Sequence, residues 1–391
     1  MADAPADLAD RAGHAPVKQG FCTELHAARG LAAAVVVIGH CLCVPASQDG
    51  TYDYIRSLFA GSTAVTFFFV LSGLVLAISL RKSNAGMPQG YLDYLLRRFF
   101  RLAPLLFVTV IAGTIYVNWL DPKATYAFAS DWWTQQFKSS IDPVHFVVAL
   151  TGFSPRPNPP SWSIFVELVG SLFVPFMVAV AYAGRKHALA LTALLLVFGL
   201  NAFERFPALQ THQWNLYLVD FFAGILILCF GKSAFTRLGR SPAQAGIVAV
   251  ALLIALLHVR YFGLPLFGED RAGLWTVNLV ELLLIVPIVG LLFHCRQHFS
   301  LLNAKPMQFL GDISYSLYLV HFVVLAVIAN TVAILLPQAS STLLTGLIVV
   351  LEAAICIPLA NMTYRRIELP GIRMGQMLVA RLRVARPLAA R

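Results

Sequence analysis

Ten stretches of about 18 or more mostly apolar residues recur along this chain, and no other feature constrains its fold as much. As a helix, a run of that length crosses a hydrocarbon core of about 30 Å. The runs fall at 28–46, 61–80, 102–120, 161–183, 187–204, 213–231, 243–262, 273–294, 309–336 and 341–364. The fifth and sixth are the most interrupted, with Glu204 and Arg205 marking the turn between them. Residues 143–154 are apolar but too short to cross, and read as a re-entrant or interfacial piece. A soluble fold is excluded by the balance of residues. The 391 positions are 58% hydrophobic and 12% charged, with a mean hydropathy of +0.73, whereas soluble domains carry about 25% charge. The expected fold is all-α, a polytopic membrane helix bundle with about ten transmembrane helices.

Basic residues set the expected orientation, because cytoplasmic loops carry an excess of Lys and Arg. With the N-terminus inside, 21 of the 29 Lys and Arg fall on the cytoplasmic side and 7 outside, while Arg29 sits at the mouth of the first span. Both termini are then cytoplasmic. The net charge of +10 is a topology signal in this reading rather than a sign of a nucleic-acid partner. The polar stretch 1–20 lacks an apolar h-region with a cleavage site and reads as a flexible cytoplasmic N-terminus, not a signal peptide. Residues 21–370 form the expected transmembrane domain and 371–391 a basic cytoplasmic tail. The expected location is the bacterial cytoplasmic (inner) membrane, in contact with lipid.

The longest hydrophilic segment is the external loop 121–160, with Trp132, Trp133 and a Pro-rich run over 154–160. It reads either as an interfacial aromatic anchor or as a lid or acceptor platform over a membrane site. The six cysteines lack zinc-site spacing and read as small apolar residues. No metal-ligand cluster is evident.

Ionisable groups inside a bilayer are costly and point to function. Arg29 and His40 are eleven residues apart, so they share a face of one helix, about 16 Å apart along its axis. A long donor entering with its phosphates at Arg29 would place its reactive end near His40. The competing reading makes Arg29 a membrane anchor and His40 a hydrogen-bonded packing residue. Ser163 and Glu167 are four apart and share a face, with Glu167 at a depth near that of His40. Glu167 could hold the imidazole in one tautomer or serve as a structural helix-to-helix bond. Arg97, Arg98 and Arg101 precede Pro104 and suit either phosphate or anionic lipid. His321 falls near the midplane, with Tyr318 and Ser314 on a neighbouring face. Ser72 and Gly73 permit close helix contact, and Ser72 is also a candidate nucleophile. Asp220, Glu281 and Glu352 are expected to pair with polar groups in the bundle.

Together these elements resemble the acyltransferase 3 family of membrane O-acyltransferases, which act on surface polysaccharides and other carbohydrates. The similarity runs from about Glu24 to Pro370. It is carried by Arg29 with His40, Phe67-Phe-Phe-Val-Leu-Ser-Gly73, Arg98-Phe-Phe-Arg101 with Pro104, and Ser163-Ile-Phe-Val-Glu167. Ser314-Tyr-Ser-Leu-Tyr-Leu-Val-His321 and Ile367-Glu-Leu-Pro370 complete it. One departure is Glu24-Leu-His-Ala-Ala-Arg29, where the family often has an acidic residue and Gly just before the arginine. Some members carry an extracytoplasmic esterase-like domain. None follows here, which leaves the second half of the transfer to the membrane domain or to a partner protein on the external side.

The resemblance implies an acyltransferase that moves an acyl group, most often acetyl, from cytoplasmic acyl-CoA to a carbohydrate hydroxyl. It implies His40, Glu167 and Ser163 as catalytic groups and Arg29, Arg98 and Arg101 as the donor site, with Ser72, Tyr318 and His321 as substrate-contact candidates. A proton-coupled secondary transporter is the rival from another class, although no inverted repeat or paired broken helices are evident. A scaffolding subunit is a third reading, and a lipid or macrolide acceptor competes with a polysaccharide.

Overall fold

Each apolar run folds as a helix because a backbone in lipid has to satisfy its own hydrogen bonds. The computed structural model describes residues 22–47, 49–81, 89–121, 128–205 and 214–385. The helices are α1 (Thr23–Cys43), α2 (Gly50–Leu58), α3 (Gly61–Arg81), α4 (Gln89–Ile115), α5 (Asp131–Phe137), α6 (Pro143–Leu150), α7 (Ser161–Ala183) and α8 (Arg185–Arg205). They continue with α9 (Trp214–Phe230), α10 (Lys232–Leu238), α11 (Pro242–Phe267), α12 (Arg271–His294), α13 (Lys305–Leu335), α14 (Ser341–Thr363) and α15 (Leu369–Ala385). π-Helical turns extend α4 over Tyr116–Leu120 and join α14 to α15 over Tyr364–Glu368. Among the described residues there is no strand, only an isolated bridge between Pro45 and Ala129.

Eight helical stretches among the described residues are long and apolar enough to cross a membrane, or nine if α9 and α10 form one span bent by 84°. The fifth sequence run, α8, is not among them; the side chains of 201–205 at its end lie outside the described residues. Two boundaries also move. Helix α4 begins at Gln89, so Arg97, Arg98 and Arg101 lie inside a helix rather than in the loop before it. Helix α11 runs to Phe267, which takes Arg260 off the external surface and into the bundle. Residues 1–20 and 386–391 lie outside the described residues. The part of the expected tail that is described is helical α15, held against α4 by Arg383 Nε and Asp93 Oδ2 at 2.7 Å.

Two glycine crossings fix the centre of the bundle. Between α1 and α13, a Cβ on Gly30 would stand 2.5 Å from Gly311 N. Between α3 and α9, a Cβ on Gly73 would overlap the Phe221 carbonyl, and one on Gly224 would overlap the Val70 carbonyl. Lipid supplies no hydrophobic force between helices, so such close backbone approach is what van der Waals attraction needs. Helix α13 is the hub, with Leu317, Leu319, Phe322, Leu325 and Ala329 all buried. Helices α8 and α11 are peripheral and turn Leu194, Val197, Ile247, Val250 and Leu253 outward.

Candidate active site

At one end of the bundle a cavity of about 590 Å³ opens between α1, α3, α4, α7 and α13. Its polar wall carries Arg29, Arg97, Arg98, Arg101, Glu167 and Glu368. The Arg98 guanidinium forms an ion pair with Glu167, and its Nε donates to Ser171 Oγ at 3.0 Å. Ser72 Oγ donates to Glu167 Oε1 at 2.9 Å, and Ser171 Oγ donates to the Glu167 carbonyl at 2.6 Å. Three helices thereby fix one carboxylate. Arg29 Nη2 donates to the Gly311 carbonyl at 3.0 Å, while its Nε is buried with no partner among the described residues. Arg29, Arg97 and Arg101 form no ion pair there either. Glu368, which acts electrostatically on Arg29 and Arg101, is buried and accepts from Ser316 Oγ at 2.9 Å. The cavity thus gathers four guanidinium groups against the carboxylates of Glu167, Asp312 and Glu368, an excess of positive charge that favours bound phosphate or carboxylate.

Away from the arginines the lining turns apolar through Phe68, Phe69 and Ile164, and then meets Ser163 and Tyr318, whose hydroxyls lie 2.7 Å apart. His321, fully buried, comes next. Its ring centroid is 6.1 Å from that of Tyr318 and 5.0 Å from that of His40. His321 Nδ1 lies 3.2 Å from the Leu317 carbonyl, so it carries a proton and Nε2 is an acceptor. His40 Nδ1 is 3.0 Å from the Val36 carbonyl and 3.1 Å from His321 Nε2. A proton on His40 Nδ1 satisfies both acceptors. The network therefore assigns His40 the tautomer whose Nε2 is unprotonated. That nitrogen takes no hydrogen bond from the described residues. His40 lines a second, smaller cavity of about 300 Å³ instead of the first.

The loop after α4 closes over the histidines. Ser130 Oγ donates to the Cys43 carbonyl at 2.6 Å and Ser130 N to the Val44 carbonyl at 2.8 Å, which ties α5 to the end of α1. Trp132 stacks on His40 with centroids 5.8 Å apart, and Trp133 is buried against Phe137 and Phe322. Asn158 Nδ2, fully buried, donates to the Leu319 carbonyl at 3.0 Å. The Pro-rich run is thus packed into the bundle against α4 and α13, not spread on its rim. Helix α6 over residues 143–150 is short and largely exposed.

The structure gathers the residues expected from the sequence, but with different partners. Glu167 reaches Arg98 and Ser72 and makes no bond to His40; the imidazole of His321 takes that position. Ser163, Glu167, Arg29, Arg98, Arg101, Ser72 and Tyr318 all line the larger cavity. Glu281 meets Arg260 and Thr63 as a polar pair. Glu352 does not follow the expected pattern: both its carboxyl oxygens are buried without a hydrogen-bond partner among the described residues. Asp220 is buried, with Glu281 as its electrostatic neighbour. The sequence reading does not single out Glu368 as a site residue, although Ile367-Glu-Leu-Pro370 is one of the elements that carry the resemblance. All six cysteines are unpaired thiols, and among the described residues no group of three or more His, Cys, Asp or Glu is placed to hold a metal ion.

Comparison with known proteins bears on the same residues. Residues 23–360 match the family described as an acyltransferase domain. The peptidoglycan O-acetyltransferase OatA of Listeria monocytogenes is 23% identical over 342 residues, covering 81% of this chain and 52% of that protein. The chain thus spans about half the length of that curated relative. No solved structure matches.

Proposed function

The chain belongs to the acyltransferase domain family, and from that membership and the site's geometry we propose that it transfers an acetyl group from acetyl-CoA to a carbohydrate hydroxyl at the far side of the membrane. The observation that carries this reading is the unprotonated Nε2 of His40, fixed in place by Val36 and His321. Beyond His321 lies the larger cavity, which runs from the arginines to Ser163 and Tyr318. An arginine mouth, an apolar shaft and a neutral imidazole follow the donor's own order of phosphates, pantetheine and thioester.

The bundle has ten crossings in this proposal, α8 and the bent α9–α10 included, with both termini and the arginine end in the cytoplasm of a bacterial inner membrane. Arg29, Arg98 and Arg101, with Arg97 beside them, bind the diphosphate. Glu167 and Ser72 hold Arg98 in orientation. Ser163 and Tyr318 meet the thioester end. His40 Nε2 takes the proton from the acceptor hydroxyl and the oxygen attacks the acyl carbonyl. The C–S bond breaks, and coenzyme A leaves as a thiolate that collects the proton. His321 Nε2, accepting from His40 Nδ1–H, stabilises the developing imidazolium. A general base so placed contributes about 10² to 10⁴ in rate, and confinement of an already activated thioester supplies more.

A peptidoglycan or another envelope glycan is the favoured acceptor, by analogy with the Listeria relative's name. The rival transporter reading is served less well, because the fully buried His321 lines neither cavity and His40 only the smaller one. The test uses membranes with wild-type or His40→Ala protein and isotopically labelled acetyl-CoA. Base-labile label in envelope glycan, present with wild type and absent with the variant, supports the proposal. Equal labelling by a folded His40→Ala protein sinks it.

A further inference from the structure

The smaller cavity lies on the opposite side of His40 from His321, between the end of α1, the α2–α3 turn and α11. Several polar side chains gather on its otherwise apolar wall. Asp53, Arg56, Ser57, Ser62 and Arg260 face it together with His40. Arg260 is held from behind: Nε donates to Glu281 Oε1 at 2.8 Å, and Nη2 to Asn278 Oδ1 at 2.9 Å and to Glu281 Oε2 at 3.2 Å. Glu281 is fully buried and also accepts from Thr63 Oγ1 at 2.5 Å. The guanidinium is therefore fixed, with Nη1 unbonded to the described residues. On the other wall, Arg56 Nη2 and Asp53 Oδ1 pair at 3.2 Å, both partly exposed, and Ser47 Oγ donates to Asp53 Oδ2 at 2.6 Å.

The roof is α2. None of its residues is buried, yet it is tied down at two points: Tyr52 OH donates to the Leu42 carbonyl at 2.8 Å, and Tyr54 OH meets His258 Nε2 at 2.8 Å. At the floor, a Cβ on Gly61 would lie 3.9 Å from His40 Cε1, so the imidazole edge is open to the cavity at this point. A volume of about 300 Å³ is at the small end of ligand sites and admits a single ring with its substituents.

We propose that this cavity is the acceptor subsite and takes one sugar ring. The assignment rests on the transferase reading given above. A carboxylate beside a guanidinium offers an acceptor and a fork of donors at the spacing of vicinal hydroxyls. Asp53 and Arg56 bind that diol, Arg260 Nη1 holds a ring substituent, and the next hydroxyl faces His40. The acceptor oxygen loses its proton to Nε2 in this cavity and bonds to the acyl carbon of a thioester whose end reaches the same face of the imidazole, with the C–S bond breaking to release coenzyme A. A polyol is favoured over a fatty acceptor because the wall carries two guanidinium groups, a carboxylate and two serine hydroxyls.

Steady-state transfer with labelled acetyl-CoA tests the assignment, using the full chain in native membranes and glycan purified from the envelope of the expressing cells as the probe. Arg56→Gln should raise KM for the glycan about tenfold, lower kcat by less than about threefold and leave KM for acetyl-CoA unchanged. Ser62→Phe, which fills the cavity, should abolish glycan labelling while coenzyme A binding, measured by calorimetry, persists. Wild-type glycan KM in Arg56→Gln, or full glycan labelling by Ser62→Phe, overturns the subsite. A wild-type protein that labels no glycan, even though it binds coenzyme A, fails the transferase reading itself and this assignment with it.

Discussion

The two ends of the site are built from different materials. At the arginine end, four guanidinium groups share the cavity with three carboxylates, and one Arg–Glu pair is fixed by hydroxyls from two further residues. At the histidine end, within the bundle, two imidazoles meet aromatic rings and carbonyl oxygens, and no carboxylate touches either of them. Formal charge suits holding an anion in place. A neutral imidazole pair suits moving a proton, because each ring can change state without breaking an ion pair. The comparison separates binding from chemistry by about 16 Å along α1.

Substitutions can break that division. The largest expected effect is in His40→Ala, where kcat for glycan transfer should fall on the order of 10³-fold with KM for acetyl-CoA unchanged. A donor KM that rose in parallel would merge the two ends into one function. Next comes Arg98→Ala. It leaves the half-buried Glu167 carboxylate without its cation and removes one guanidinium from the donor site, so acetyl-CoA affinity should drop by about 30-fold. The midpoint of thermal unfolding in detergent should fall as well, by the equivalent of about 3 kcal/mol. Arg98→Lys restores charge but not the fork, and should recover stability more fully than affinity. His321→Ala is expected to lower kcat about tenfold through loss of one orienting bond, with donor binding intact. Because His321 fixes the tautomer of His40, the pH–rate profile of this variant should shift as well as fall. A smaller effect belongs to the frame. Gly30→Ala should lower stability by about 1–3 kcal/mol through overpacking against α13. The smallest is Leu253→Ala on the lipid-facing side of α11, within about 0.5 kcal/mol of wild type in the same unfolding assay.

What the sequence discloses about this site follows from what helical periodicity encodes. Spacing placed Arg29 with His40 on one face of α1, and Ser163 with Glu167 on one face of α7, and the described structure keeps Ser163 and Glu167 on a single cavity wall. Spacing does not say which face of a neighbouring helix lies opposite. Lipid makes this worse, since apolar residues cover both the inside and the outside of a membrane bundle and the pattern of hydropathy loses its direction. Glu167 therefore reads as a partner of His40 or as a structural helix-to-helix bond, and packing assigns it to Arg98. Glu352 was opaque for the same reason: its depth was readable, its lack of partners was not. The loop over 128–160 was legible only as a choice between a membrane anchor and a lid. What decides it is Ser130 bonding to the end of α1 and Asn158 bonding to α13. Of the ten expected spans, eight stand among the described residues as helices long and apolar enough to cross, or nine with the bent α9–α10 pair.

Gly311 has two neighbours that belong together. Its carbonyl receives Arg29, and its backbone is pressed against Gly30, so the register of α13 on α1 is set at the arginine end by a contact with no side chain in between. Ten residues farther along α13, the same register brings His321 to His40. The pair of helices works as a fixed calliper. A slip of one helical turn, about 5.4 Å, would open both jaws together, so the reach it gauges between anion and base does not stretch to suit the ligand. Accommodation of a longer acyl group has to come from the apolar shaft between the jaws, at Phe68, Phe69 and Ile164, and not from any give in the instrument that measures it.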